Sequence, residues 1–244
     1  METTLHTIPL INLGLSFIPV ILALFILAIW SLDVGTALYS IVRMLIQLIL
    51  VGYLLVYIFE YNQVWITLTV IVTMILVSSW IGLRTLEKMR LKLFSQSVIA
   101  SLLGGGTVLL IIIWPVLELE PLYKPQYTVP LAGMIFANSM NTISLALERL
   151  DSELRNGIEY IRARSIAMQT ALIPIINSMF AVGLVSLPGM MTGQVLSGVS
   201  PLIAVRYQIV VMCMIFASAV FSTAILLVLG EKALTIYATH QETR

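Results

Sequence analysis

Asn138, Asn141 and Ser144 are the residues of this chain whose types and spacing best suit a chemical role. Steps of three residues keep them on one side of a helix, and Asn138 with Thr142 makes an alternative face at a step of four. Amide and hydroxyl oxygens so aligned hold a cargo weakly and release it, as a transport path requires. The same stripe also suits hydrogen bonding between packed helices, and both readings stay open. Met140, Met190 and Met191 add thioethers, which favour soft ions such as Cu(I) over the oxygen and nitrogen sites usual for iron. In a chain with 12 methionines, filling irregular gaps is the plainer role. His6 and His240 lie near opposite termini, and Cys213 stands alone in an apolar run, where it reads as buried packing. No histidine–acid cluster, zinc pattern or activated nucleophile is present, so the sequence speaks against an enzyme and leaves any metal ligands unassigned.

The elements that must position these residues belong to a membrane. The 244 residues are 59% hydrophobic and 10% charged, against about 25% charged in an ordinary soluble domain. Mean hydropathy is +1.03, and the expected class is an all-α integral membrane protein forming one transmembrane domain over residues 1–244. A net charge of +1 gives no reason to expect nucleic acid. The first apolar run lacks a basic leader and a small-residue cleavage site, so it is expected to stay as a span.

Seven spans are expected, at 8–30, 35–59, 64–82, 98–117, 129–147, 170–187 and 207–229. Pro19 is expected to kink the first and Pro174 to break the sixth. Arg43 and Gln47 sit one turn apart in the second span and Arg206 near the start of the seventh; structural anchoring and attraction of an anionic substrate are the two roles open to these intramembrane polar groups. Two segments concentrate positive side chains: LRTLEKMRLKLF, with Arg84, Lys88, Arg90 and Lys92 against Glu87, and ERLDSELRNGIEYIRAR, where Arg149, Arg155, Arg162 and Arg164 alternate with acids. The positive-inside rule puts both in the cytoplasm, which sets the N-terminus outside and the C-terminus inside.

Residues 183–208, GLVSLPGMMTGQVLSGVSPLIAVRYQ, carry Pro188, Gly189, Gly193, Gly198 and Pro201. That punctuation is too dense for one regular helix. Irregular backbone at membrane depth must be shielded by protein or water, so a broken or re-entrant segment is expected between helices six and seven. Its role is read as an extracytoplasmic gate shaped by Pro188, Gly189 and Gly193, with Met190, Met191 and Gln194 near the path.

Three segments carry a family resemblance: RMLIQLILVGYLL at 43–55, NSMNTISLALERL at 138–150, and the stretch at 183–208. Together they resemble the FetB-type permeases of bacterial ABC transporters, a family of iron-export components with a plant relative in aluminium tolerance. The resemblance implies an inner-membrane permease subunit that binds no cofactor itself, works with a separate ATPase resembling FetA, and pairs with a second permease copy. The absence of a phosphate-binding loop agrees with ATP being used by the partner. It further implies that the segment from Glu148 to Arg164, with Glu148, Arg149, Arg155 and Arg162, contacts the ATPase; a solvated basic loop would look the same. One departure stands out. The family's segment between spans five and six is longer, with an alanine-rich stretch and a Leu-Gly turn, whereas here Asn156 and Gly157 lead almost directly into IEYIRARSIAMQTALIP. A secondary transporter is the first competing class, weakened by the lack of an inverted repeat or an intramembrane acid. A non-transporting membrane scaffold is the second.

Overall fold

A computed structural model describes residues 8–61 and 63–242, the side chains of 238–242 excepted. The chain divides into two compact units, Met1–Tyr61 and Asn62–Arg244. Among the described residues there are helices and no strand.

In the first unit, α1 (Leu10–Leu15) and α2 (Ile18–Ile29) form one nearly continuous run. The interruption falls at Ser16–Phe17, and Pro19 lies in the first turn of α2. Proline is tolerated there because its missing N–H would have no partner in any case, so the expected mid-span kink moves to the run's first third. Asp33 starts α3 (Val34–Tyr61): the Thr36 amide donates to its Oδ1 at 2.9 Å, satisfying one orphan N–H of the first turn. The Thr36 hydroxyl donates to the other carboxylate oxygen, and these two bonds hold the Asp33 carboxyl below the usual carboxylate range.

The second unit opens with α4 (Val64–Gly82). The next helical run begins at Arg84 rather than at 98 and extends to Val116. Its first turn, Arg84–Met89, is tight and irregular at Leu86, whose side chain is buried with that of Met89. Arg90 fastens the corner. Its guanidinium donates twice to the Trp80 carbonyl, at 2.9 and 2.7 Å, and lies 3.9 Å over the Trp80 ring. The basic stretch expected as a loop is therefore the folded corner of a helical hairpin.

Beyond α5 (Arg90–Ala100) the helix widens into a π-turn at Ser101–Gly106, returns to α6 (Thr107–Ile111), and widens again at Ile112–Val116. The first widening is where glycine lets other helices come close. A Cβ on Gly104 would lie 2.5 Å from the Ser222 amide nitrogen, and one on Gly105 would lie 2.8 Å from the Phe136 ring.

Helix α7 (Pro125–Arg155) is the axis of the unit: α4, α8 (Tyr160–Ala181), α10 (Pro201–Leu229), α11 (Glu231–Glu242) and the Ser101–Gly106 turn all pack on it. At 1.5 Å per residue its 31 residues span about 46 Å, well beyond a hydrocarbon core of about 30 Å. The charged end of the segment expected beyond span five is simply the continuation of this helix. Pro174 lies inside α8 without ending it, and the last long helix starts at Pro201, ahead of the expected 207.

Two apolar clusters fill the interior. Leu86, Met89, Leu150, Leu154, Tyr160 and Leu234 share one of them, which brings both basic segments to the same end of the unit. Val108, Ile112, Phe136 and Met214 belong to the other. Five helical runs among the described residues are long and apolar enough to cross a membrane: Leu10–Ile29, Val34–Tyr61, Val64–Gly82, Arg84–Val116 and Pro201–Leu229. Helices α7 and α8 are not among them. Charges fill the end of one and the start of the other, and Asn138, Asn141, Gln169 and Asn177 dilute what remains.

Candidate transport path

Helix α7 buries the side carrying Ala132, Ile135, Phe136, Ser139, Ile143 and Ala146. The three path residues predicted on α7 sit off that side. Asn138 is half-buried, its Nδ2 donating to the Met134 carbonyl at 2.8 Å. Its own backbone carbonyl accepts from Thr142 at 3.0 Å. Asn141 is exposed, and its side chain makes no hydrogen bond among the described residues. Ser144 is half-buried, and its backbone carbonyl accepts from the Thr85 hydroxyl at 3.4 Å. Asn138 thus has a local structural bond that Asn141 lacks, and their side chains differ in how free they are to meet a cargo.

The punctuated stretch resolves into a tight turn, a short helix and a second turn. Gly183 (φ +82°) and Gly198 (φ +88°) adopt the left-handed conformation, and only glycine does so without strain. Between them Pro188 precedes α9 (Gly189–Leu196), which contains Gly189 and Gly193. The backbone reversals thus belong to Gly183 and Gly198. Met190 packs against the cluster of Phe136 and Met214, Met191 is half-buried, and Met140 is half-buried on α7. The Oε1 atoms of Gln194 and of Gln208 on α10 are covered and have no partner among the described residues. At this same end, an open recess of about 400 Å³ is bordered by Trp114, Glu118 and Glu120; both carboxylates are exposed, so it encloses no site.

Sequence reading missed a buried hydroxyl layer. Ser79 donates to Ser101 at 3.2 Å, and Ser97 donates to the Ser79 carbonyl at 3.4 Å. Ser139, Ser222 and Thr223 are also fully buried, with hydroxyl oxygens that have no partner among the described residues. The triple glycine was the one available signal, since it marks close packing and close packing favours small hydroxyl residues opposite.

At the charged end, Arg149 pairs with Glu153 at 2.5 Å and Arg155 with Asp151 at 2.6 Å, each one helical turn away. Glu148 and Arg162 are exposed and make no ion pair among the described residues. The chain reverses at 156–159, where Gly157 takes φ +76°. Just beyond the reversal, ahead of the uncharged part of α8, the Tyr160 hydroxyl donates to the Leu227 carbonyl at 2.5 Å. Burial pushes its pKa up from 10.0 to about 12, with Glu231 adding to the shift. A raised acid pKa favours the neutral phenol in the folded state. That contribution is complete below pH 10.0 and is lost as pH rises towards about 12. Tyr160→Phe is expected to lower stability by about 1 kcal/mol, the usual net worth of one hydrogen bond, and to flatten the alkaline limb of a melting-temperature profile. An unchanged alkaline limb in the variant would show that Tyr160 does not titrate with unfolding.

The remaining predicted groups among the described residues lie on α3 and α10. Arg43 and Gln47 are exposed along α3 on the side that also carries Thr36 and Ser40, and Arg206 is exposed in the second turn of α10. Cys213, expected to be buried, is exposed. His6 lies outside the described residues, as does the side chain of His240. No group of three or more histidine, cysteine or acidic side chains gathers among the described residues.

The apolar runs and the helical architecture define a multi-pass membrane protein whose central helix carries a polar stripe. The chain belongs to the Uncharacterised protein family (UPF0014), whose family model matches residues 10–166 and 159–235. A UPF0014 membrane protein of Synechocystis is 35% identical, with 78% of this chain and 79% of the relative covered. The probable iron export permease protein FetB of Escherichia coli is 34% identical over 77% of each chain. The UPF0014 membrane protein YjkA of Bacillus subtilis is 30% identical over 96% of this chain and 98% of its own. No solved structure gives a significant match. The two stretches of the family match overlap at 159–166, within the segment that departs from the family pattern.

Proposed function

We propose that this chain is the membrane-spanning permease subunit of an ATP-driven ABC transporter that exports iron or another metal ion from the cytoplasm. The observation that carries the reading is the 34% identity to a probable iron export permease over 77% of both chains. The neutral, oxygen-bearing stripe on α7 is compatible with it, because cargo must be held weakly enough to leave. In this reading α7 and α8 complete seven spans, the packing of the unit compensating for their weaker apolarity. The end holding both basic segments faces the cytoplasm, with the N-terminus outside, in a bacterial inner membrane.

A separate ATPase resembling FetA supplies the energy, and two permease copies join two ATPase subunits. The corner from Glu148 through Arg164 meets the ATPase. Because Arg149 and Arg155 already have acidic partners on α7, Glu148 and Arg162 are the groups left free to bind. Segment 183–208, with Met190, Met191 and Gln194, forms the outer gate. In inside-out vesicles holding permease and ATPase, ferrous iron is expected to accumulate only when ATP is supplied. Accumulation without ATP would assign a secondary transporter instead, and no movement of iron or manganese under either condition would sink the transport reading.

A further inference from the structure

Helix α9 is held to its own unit by little. Among the described residues, every hydrogen bond made by residues 183–199 stays within five positions along the chain, and no ion pair reaches the segment. None of the α9 residues is buried. Its apolar hold on the interior is Met190, half-buried against the cluster that contains Phe136, Val211 and Met214. A segment with local hydrogen bonds and few buried apolar contacts opens at small cost. Both of its ends are built to turn. Gly183 (φ +82°) and Gly198 (φ +88°) flank α9, and no atom lies within 4 Å of where a Cβ would stand on either, so the backbone there is free to absorb the dihedral change a hinge requires.

Beneath this element lies a polar group that the closed arrangement leaves unsatisfied. Gln208 is 6% exposed, on the side of α10 that also buries Ala204, Val211 and Met214. That burial comes from the second unit itself, where α10 packs on α7, α9 and the Ser101–Gly106 turn. Its Oε1 has no partner among the described residues, and neither has the covered Oε1 of Gln194, one turn beyond Met190 on α9. A covered amide oxygen without a donor carries a desolvation cost, and such a group in a folded protein calls for a role.

We infer that α9 is a lid, hinged at Gly183 and Gly198 and latched by Met190, and that lifting it opens the buried amide of Gln208 to water and to cargo. Gln208 thereby joins the transport path. Its neutral amide offers an oxygen acceptor to a cation or its hydration shell without the full charge of a carboxylate. Burial of Met190 favours the closed lid and desolvation of the two glutamine oxygens opposes it, so the lid is locked in neither position, as a gate that must cycle requires. The inference rests on the reading of 183–208 as the outer gate and supplies its moving part, its latch and one further path residue.

Thiol labelling tests the lid without requiring transport. Gln208→Cys in the Cys213→Ala chain is exposed to a membrane-impermeant thiosulfonate on each side of sealed membrane vesicles in turn. Labelling is expected to be slow with Met190 in place, at least about 10-fold faster once Met190→Ser is added, and slow again with Met190→Leu, since the rate follows the population of the open lid. Ser218→Cys, buried on the same helix about 15 Å farther along it, should label slowly in every background. Equal rates at Gln208→Cys with and without Met190→Ser, or the same acceleration at Ser218→Cys, would overturn the lid. Gln194→Cys gives the same comparison from the inner side of α9 if Gln208→Cys yields no folded protein. Acceleration from the cytoplasmic side alone would keep the lid and overturn the gate's outward placement. Parent-level iron movement by Gln208→Leu would remove Gln208 from the path, whereas no iron movement by the parent itself would sink the transport reading and leave the labelling result standing.

Discussion

Alanine at Gly104 is expected to cost about 3 kcal/mol or more, towards the upper end for overpacking a core, and to leave little folded protein. A Cβ there would stand 2.5 Å from the Ser222 amide nitrogen and 2.7 Å from its Cα. These are backbone atoms, and no rotamer change on α10 relieves the clash. The neighbouring glycines supply a graded control. At Gly105 the closest atoms belong to the side chains of Phe136 and Ile135, at 2.8 and 2.9 Å. A small rotation can relieve those contacts, so Gly105→Ala is expected to cost about 1 kcal/mol. At Gly106 the nearest atom is a Leu102 methyl at 3.6 Å, and alanine there is expected to be neutral or stabilising by about 0.5 kcal/mol, since it restricts the unfolded chain. Thermal midpoints and the yield of monodisperse protein in detergent give the order directly. If Gly104→Ala behaved like Gly106→Ala, the close approach of α10 to the π-turn would be wrong.

Asn141→Leu is expected to slow ATP-driven iron movement roughly 10-fold, the equivalent of one lost polar contact of about 1.4 kcal/mol, while folded yield stays at the parent level. The side chain is exposed and makes no hydrogen bond among the described residues, so a drop in transport alone would report on the path. Asn138→Leu should behave differently. It removes the bond to the Met134 carbonyl and adds bulk at a half-buried position, so stability and transport fall together. Parent-level transport by Asn141→Leu would take Asn141 out of the path, whatever Asn138 does.

The class of this protein was legible because bilayer thickness translates directly into run length and apolarity. The positions of the long helices follow from that arithmetic to within about two turns, except where charge obscures the signal. Residues 83–94 read as a cytoplasmic loop and residues 148–164 as a surface helical segment because lysine, arginine and acids are concentrated in them. They fold instead as extensions and corners of long helices, since Leu86, Met89, Leu150, Leu154 and Tyr160 hidden among the charges share one apolar cluster. Pro19 and Pro174 show a second limit. Proline removes one donor at a fixed place, but whether the helix breaks depends on whether that donor was needed and on what packs alongside.

For the candidate path, sequence spacing grouped Asn138, Asn141 and Ser144 on one side of a helix, because periodicity is local and needs no knowledge of neighbours. The same reasoning separated the punctuated stretch 183–208 from a regular span, although it could not tell the left-handed turns at Gly183 and Gly198 from the helical Gly189 and Gly193.

Contacts between distant segments were decided only by the tertiary structure. Gly104 against Ser222, Ser79 with Ser101, and Tyr160 on the Leu227 carbonyl join residues 22 to 118 positions apart in the chain. Nothing in local composition encodes such a pairing, because it depends on which helix faces come together. By itself the sequence determined that the chain lives in a membrane and which of its residues are polar there. Packing around α7 decided which of those residues are tied to the bundle's own backbone, as Asn138 is, and which remain free, as Asn141 does.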